Sequence, residues 1–152
     1  MNLCKVEFAR MARNGGIFQT EKIRIRILGD LSLLPVEVMQ SLRKTEELTK
    51  DNQDGVLNVC ICYNSRDEIT EALHAATPSD KDSFEKHLYG GYNINPSVLI
   101  RTSNEVRLSN FMLYQTNKSY YAFVKQNWPD FSLWQFLKVI FEYQSVVDIT
   151  NS

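Results

Sequence analysis

The sequence predicts an α/β fold of three layers, a mainly parallel sheet flanked by helices, built as a single domain over residues 1–152. Three observations carry this. Short apolar or β-branched runs alternate with segments whose apolar residues recur at helical spacing. One run, residues 56–62, is almost continuously apolar apart from Asn58, which suits a central strand covered on both faces. No internal repeat, linker or low-complexity segment divides the chain.

Taken in order, Cys4, Phe8, Met11 and Ala12 recur at helical spacing, and Asn14-Gly15-Gly16 supplies a stop, so a helix opens the chain. Ile23, Ile25 and Ile27 alternate with Arg24, Arg26 and Leu28 and read as a strand with one apolar face, closed by Gly29-Asp30. Arginine stems lying over a helix or a sheet edge account for Arg24 and Arg26 better than anion binding does. Pro35 suits the first turn of a helix reaching about Lys50, with Val38, Met39 and Leu42 inward. Its charged second half, residues 43–50, reads as a solvated end with Glu–Lys neighbours.

After a turn at 52–55 comes the apolar strand. Ser65 and Glu68 then make an S-x-x-E capping box for a helix with Ile69, Ala72, Leu73 and Ala76 on one face. Thr77-Pro78-Ser79 breaks that helix, and a short one with Phe84 and Leu88 precedes Gly90-Gly91. Further on, residues 120–124 form the last strand and 127–131 a turn. Ser132 with Gln135 caps a final helix, where Leu133, Phe136, Leu137, Ile140 and Phe141 give the cleanest amphipathic pattern in the chain.

Composition narrows the function classes. Seventeen Lys and Arg against eighteen Asp and Glu give a net charge of -1, which argues against general attraction to nucleic acid or a membrane surface. Any polyanion site is therefore local. Three cysteines make no disulfide framework; Cys60 and Cys62 fall on the same side of a strand and read as small core residues. His74 and His87 have no metal-ligand spacing with them. No apolar run reaches the ~18 residues of a membrane span, and Cys4, Lys5 and Glu7 do not fit a signal peptide, so any membrane association is peripheral.

The chemistry concentrates after Val98-Leu99-Ile100, a short buried strand with Arg101 at its end. A polar turn follows. Val106, Leu108, Phe111, Met112 and Gln115 then suit a helix, placing Arg107 and Ser109 in its first turns beside unpaired backbone N–H groups. Ligands of open α/β sheets bind at the carboxyl ends of strands, and arginine forks with a hydroxyl at a helix N-terminus attract phosphate. The residues thus read as an anion site suited to a diphosphate, with ordinary surface arginines as the rival reading.

Residues 101–111, RTSNEVRLSNF, resemble the signature RTSGE-x-RLSNF of the cis-prenyltransferases, which elongate allylic diphosphates with isopentenyl diphosphate. IRILGDLSLLP at 25–35, LNVCICYNSRDEI at 57–69 and NWPDF at 127–131 match in the same order. Tyr63-Asn64-Ser65-Arg66, and the Leu33-Leu34-Pro35 after Gly29-Asp30, look most like the eukaryotic dehydrodolichyl diphosphate synthase catalytic subunit.

The resemblance implies that Arg101, Arg107 and Ser109 hold the diphosphate of isopentenyl diphosphate, with Arg66, Glu105 and Asn110 in supporting places. Planar guanidinium groups suit that task because they pair with phosphate oxygens without losing charge. It implies a magnesium-dependent transferase of dolichol or polyprenol synthesis at the cytoplasmic face of the endoplasmic reticulum. Its expected partners are an allylic diphosphate and, in a dimer, a Nogo-B-receptor-like subunit or a full-length homologue.

The family's MDGNRR-like element, whose aspartate binds magnesium, does not occur in these residues. Residues 1–152 therefore match the C-terminal portion of such a domain. No catalytic residue or metal ligand is identified in them, and the chain is expected to keep only the isopentenyl-diphosphate half-site and to be inactive alone. The alternative is a non-catalytic interaction subunit or truncated product of the same family. Asn104 replaces the family's glycine; asparagine best tolerates a left-handed backbone among the other residues, so the turn is expected to survive.

Overall fold

The computed structural model describes residues 16–77, 80, 82–91 and 94–150, apart from the side chains of residues 19 and 148–150. The expected opening helix lies outside the described residues, as do Pro78 and Ser79 of the expected helix break. The chain forms two compact units, Met1–Tyr92 and Asn93–Ser152. Each contains a pair of parallel strands with helices, as the α/β class requires.

The first unit runs α1 (Ile17–Thr20), β1 (Ile23–Leu28), a 3-10 turn (Leu31–Leu33), α2 (Val36–Thr49), β2 (Gly55–Cys60), α3 (Ser65–Ala75) and α4 (Ser83–His87). β1 and β2 pair in parallel, with Ile25 beside Leu57 and Ile27 beside Val59. Ile25 and Ile27 join Phe18, Leu31 and Leu42 in the core, against which Val38 and Met39 pack. Arg26 is structural, its Nη2 donating to the Gly90 carbonyl at 2.8 Å.

The second half of α2 departs from expectation. Glu46 and Glu47 do pair with Arg43 and Lys50, but Thr45 and Thr49 are buried. The Ile25 N–H donates to Thr49 Oγ1 at 3.0 Å and the Ile27 N–H to Glu46 Oε1 at 2.8 Å. Side chains of α2 thus satisfy donors of β1 that would otherwise be orphaned.

Gly29 closes β1 with φ +127°, and a Cβ there would stand 2.2 Å from the Ile61 carbonyl oxygen. β2 is shorter and more open than expected: Val56 and Leu57 are 55% and 42% exposed, and among the described residues β2 pairs only with β1. Cys62 lies beyond the strand at φ +52° and is exposed, while Cys60 is half-buried, so the two do not form a core pair. The cap of α3 also differs from the expected Ser65–Glu68 box. Asn64 is the N-cap, its Oδ1 accepting the Arg66 N–H at 3.1 Å. Glu68 turns inward, 1% exposed, and accepts the Tyr63 hydroxyl and, at 3.0 Å, the Tyr89 N–H.

The second unit contains β3 (Val98–Arg101), β4 (Tyr120–Phe123), a 3-10 turn (Trp128–Asp130) and α5 (Leu133–Thr150). β3 and β4 are parallel, with Arg101 beside Phe123. Ser132 and Gln135 form the expected box: the Ser132 N–H donates to Gln135 Oε1 at 2.6 Å and the Gln135 N–H to Ser132 Oγ at 3.4 Å. The apolar pattern of α5 is not all core, however. Val139 is buried, whereas Leu133, Phe136 and Phe141 are exposed. Among the described residues no helix is long and apolar enough to cross a membrane.

Candidate functional site

The polypeptide between β3 and β4 is a chain of turns, and the helix expected to start near Arg107 is absent. The cause is local. Ser103, Asn104, Ser109, Asn110 and Met112 all have positive φ, which an α-helix does not admit. One isolated helical turn survives, where the Thr116 N–H and hydroxyl both donate to the Met112 carbonyl at 3.0 and 2.7 Å. The segment expected to bind an anion is therefore a folded loop, without a helix N-terminus.

Asn104 holds the conformation expected of it, at φ +58°. Its N–H donates to the Val124 carbonyl at 3.0 Å, that of Ser103 to Gln126 at 2.7 Å, and the Val124 N–H to the Arg101 carbonyl at 2.8 Å. The backbone leaving β4 thus pins the backbone leaving β3.

On this base Arg101 folds back over the loop. Its Nη1 donates to the Arg107 carbonyl and, at 3.1 Å, to Ser109 Oγ. Arg107 points outward, with Nη2 at 3.0 Å from Glu105 Oε2. Asn110 is exposed at φ +59°. The structure therefore gathers Arg101, Ser109, Arg107 and Glu105 on one loop. Arg66 is exposed in the first turn of α3, in the other compact unit.

A cavity of about 320 Å³ opens at this loop, lined by Leu99, Ile100, Arg101, Leu108, Ser109 and Phe111. Four apolar residues meet one guanidinium and one hydroxyl, an arrangement that suits a small molecule with an anionic head and a short hydrocarbon tail. The polar groups are legible in the sequence but the cavity is not, because Leu99 and Ile100 read as a buried strand and Leu108 and Phe111 as one face of a helix. Among the described residues no group of three or more His, Cys, Asp or Glu could hold a metal ion. Glu105, the carboxylate on this loop, is paired with Arg107. These residues do not by themselves make a magnesium site.

Comparison with known proteins follows the same lines. The family model described as putative undecaprenyl diphosphate synthase matches residues 1–148. A dehydrodolichyl diphosphate synthase complex subunit of Schizosaccharomyces pombe is 38% identical over 156 residues, covering 95% of this chain and 59% of the relative. The human subunit DHDDS is 35% identical over 155 residues, covering 95% of this chain and 46% of the relative. The chain thus spans about half the length of the curated relatives it matches.

Among solved structures, lavandulyl diphosphate synthase from Lavandula x intermedia, in complex with dimethylallyl diphosphate, superposes with a TM-score of 0.80 at 25% identity, over 91% of this chain and 66% of that one. A probable undecaprenyl diphosphate synthase from Campylobacter jejuni gives 0.79 at 26% identity, over 94% and 67%. Motifs, fold and relatives agree, and the chain belongs to the cis-prenyltransferase family.

Proposed function

We propose that this chain is the isopentenyl-diphosphate-binding portion of a cis-prenyltransferase of dolichol or polyprenol synthesis. The observation that carries the reading is the cavity in which Leu99, Ile100, Leu108 and Phe111 meet Arg101 and Ser109. Arg101 would hold the diphosphate with the Ser109 hydroxyl, and Arg107 would turn from Glu105 to the same anion, with Asn110 as a supporting group. The four apolar residues would hold the five-carbon tail away from water.

In the condensation, the terminal alkene carbon of isopentenyl diphosphate bonds to the allylic C1 carbon. The allylic diphosphate leaves with the bonding pair, and a C2 proton is lost from the isopentenyl unit. The part of this chain is to fix the nucleophile, which lowers the entropic cost of a two-substrate reaction. The allylic diphosphate and the family's magnesium would be held by groups other than the described residues. The expected partner in a dimer is a Nogo-B-receptor-like subunit or a full-length homologue. Relatives named as complex subunits support such an assembly. The single partial domain would act at the cytoplasmic face of the endoplasmic reticulum, associated with the membrane peripherally, and would bind no nucleic acid.

The test is calorimetric titration of the folded chain with isopentenyl diphosphate, with and without magnesium. Saturable binding is expected, weakened about tenfold or more by Arg101→Ala and by Arg107→Ala, since a charge-assisted pair contributes about 1.5–3 kcal/mol. A folded chain that takes up no ligand would overturn the reading. Supplied with both diphosphates and magnesium, the chain alone is expected to make no polyprenyl product. The exposed apolar residues of α5 favour a second reading, a non-catalytic interaction subunit. Stable co-purification with a full-length homologue, indifferent to Arg101→Ala, together with no isopentenyl-diphosphate binding, would decide for it.

A further inference from the structure

Ser109 is exposed, lines the Arg101 cavity, and holds its Oγ 3.1 Å from Arg101 Nη1. The loop around it is fastened by side chains and not by a backbone ladder. From Glu105 to Asn110 no N–H donates to another group among the described residues, so this stretch can extend at small cost. Arg107 stands two positions before the serine with its side chain exposed. An accessible hydroxyl, a loosely held backbone and an upstream arginine are together what a kinase reading basic charge patterns selects. We propose that Ser109 is a phosphorylation site for an arginine-directed serine kinase, and that its phosphate occupies the anion site in place of the substrate diphosphate. The inference rests on the isopentenyl-diphosphate reading for what is displaced, but not for where the phosphate binds.

In the transfer, Ser109 Oγ attacks the γ-phosphorus of ATP while a base of the kinase takes the hydroxyl proton. The Oγ–P bond forms, the bond from that phosphorus to the bridging oxygen breaks, and ADP leaves with the electron pair. The product carries about −1.5 to −2 charge and three strong acceptor oxygens, beside the guanidinium that the hydroxyl already touches. Arg107 can turn to the same phosphate, because its pair with Glu105 is solvent-exposed and weak. A tethered phosphate competes as if present at roughly millimolar concentration, so a free diphosphate at micromolar levels is excluded.

The full chain is incubated with ATP, magnesium and the catalytic subunit of the cyclic-AMP-dependent kinase, and the products are mapped by mass spectrometry. Phosphate is expected on Ser109 and is expected to be lost in Arg107→Ala. No incorporation, or incorporation confined to other residues, would overturn the proposal. Phosphorus NMR then reads the contact. The second ionisation of a free phosphoserine lies at about 6, and a neighbouring guanidinium favours the dianion, so the native phosphoprotein is expected to titrate lower. The ordinary value should return in Arg101→Ala and in the urea-unfolded phosphoprotein. A native value equal to the unfolded one would overturn the proposal. Calorimetry is expected to show isopentenyl diphosphate binding at least tenfold weaker after phosphorylation, and equal binding before and after would also overturn it. If the unmodified chain takes up no isopentenyl diphosphate while the Ser109 phosphate forms and titrates low, the modification site stands and the substrate reading falls.

Discussion

Cys60 and Cys62 differ in environment although they are two residues apart. Cys60 is half-buried, and burial first, then the negative charge of Glu68, pushes its thiol pKa up. Cys62 is exposed on a left-handed turn. The thiolate is the reactive form, so a raised pKa leaves Cys60 mostly protonated where an ordinary thiol has begun to ionise. N-ethylmaleimide at about pH 8 is expected to label Cys62 well before Cys60, with the Cys60 rate still climbing at higher pH. Peptide mapping by mass spectrometry measures both, and equal labelling of the native protein at pH 8 would contradict the burial argument. Strand alternation had placed the two thiols together because it assumes extended backbone throughout. Cys62 leaves that conformation at φ +52°, a change that residue type alone does not announce. Asn104 is the opposite case: its tolerance of the left-handed region is intrinsic, and its conformation was legible.

At the scale of elements, α2 shows how a helix can fasten the edge of a strand. Thr49 is fully buried, and its Oγ1 accepts the Ile25 N–H at 3.0 Å while bonding to the Thr45 carbonyl, also at 3.0 Å. Thr49→Val keeps the volume and removes the acceptor, leaving a buried N–H unpaired. It should destabilise the fold by about 2 kcal/mol, read as a lower urea midpoint at unchanged slope. A loss below about 0.5 kcal/mol would mean that water or a shifted backbone takes over the donor. Periodicity missed this function because Thr45, Glu46 and Thr49 score as polar whether they face solvent or an edge strand. It erred the other way between β3 and β4, where Val106, Leu108, Phe111 and Met112 repeat like a helix. Left-handed Ser109, Asn110 and Met112 forbid one there. The Ser132–Gln135 cap was legible because both its bonds close within four residues. The pairing of Arg101 with Ser109 depends on how the whole loop folds, which spacing suggested only in outline.

For the molecule as a whole, the α/β class and parallel strand sense followed from the alternation of runs, whereas the extent of open surface did not. Val56 and Leu57 in one unit, and Trp134 and Phe141 in the other, are apolar residues that the described chain leaves in water. Amphipathic patterning shows that a face is apolar but not whether its cover comes from the same chain.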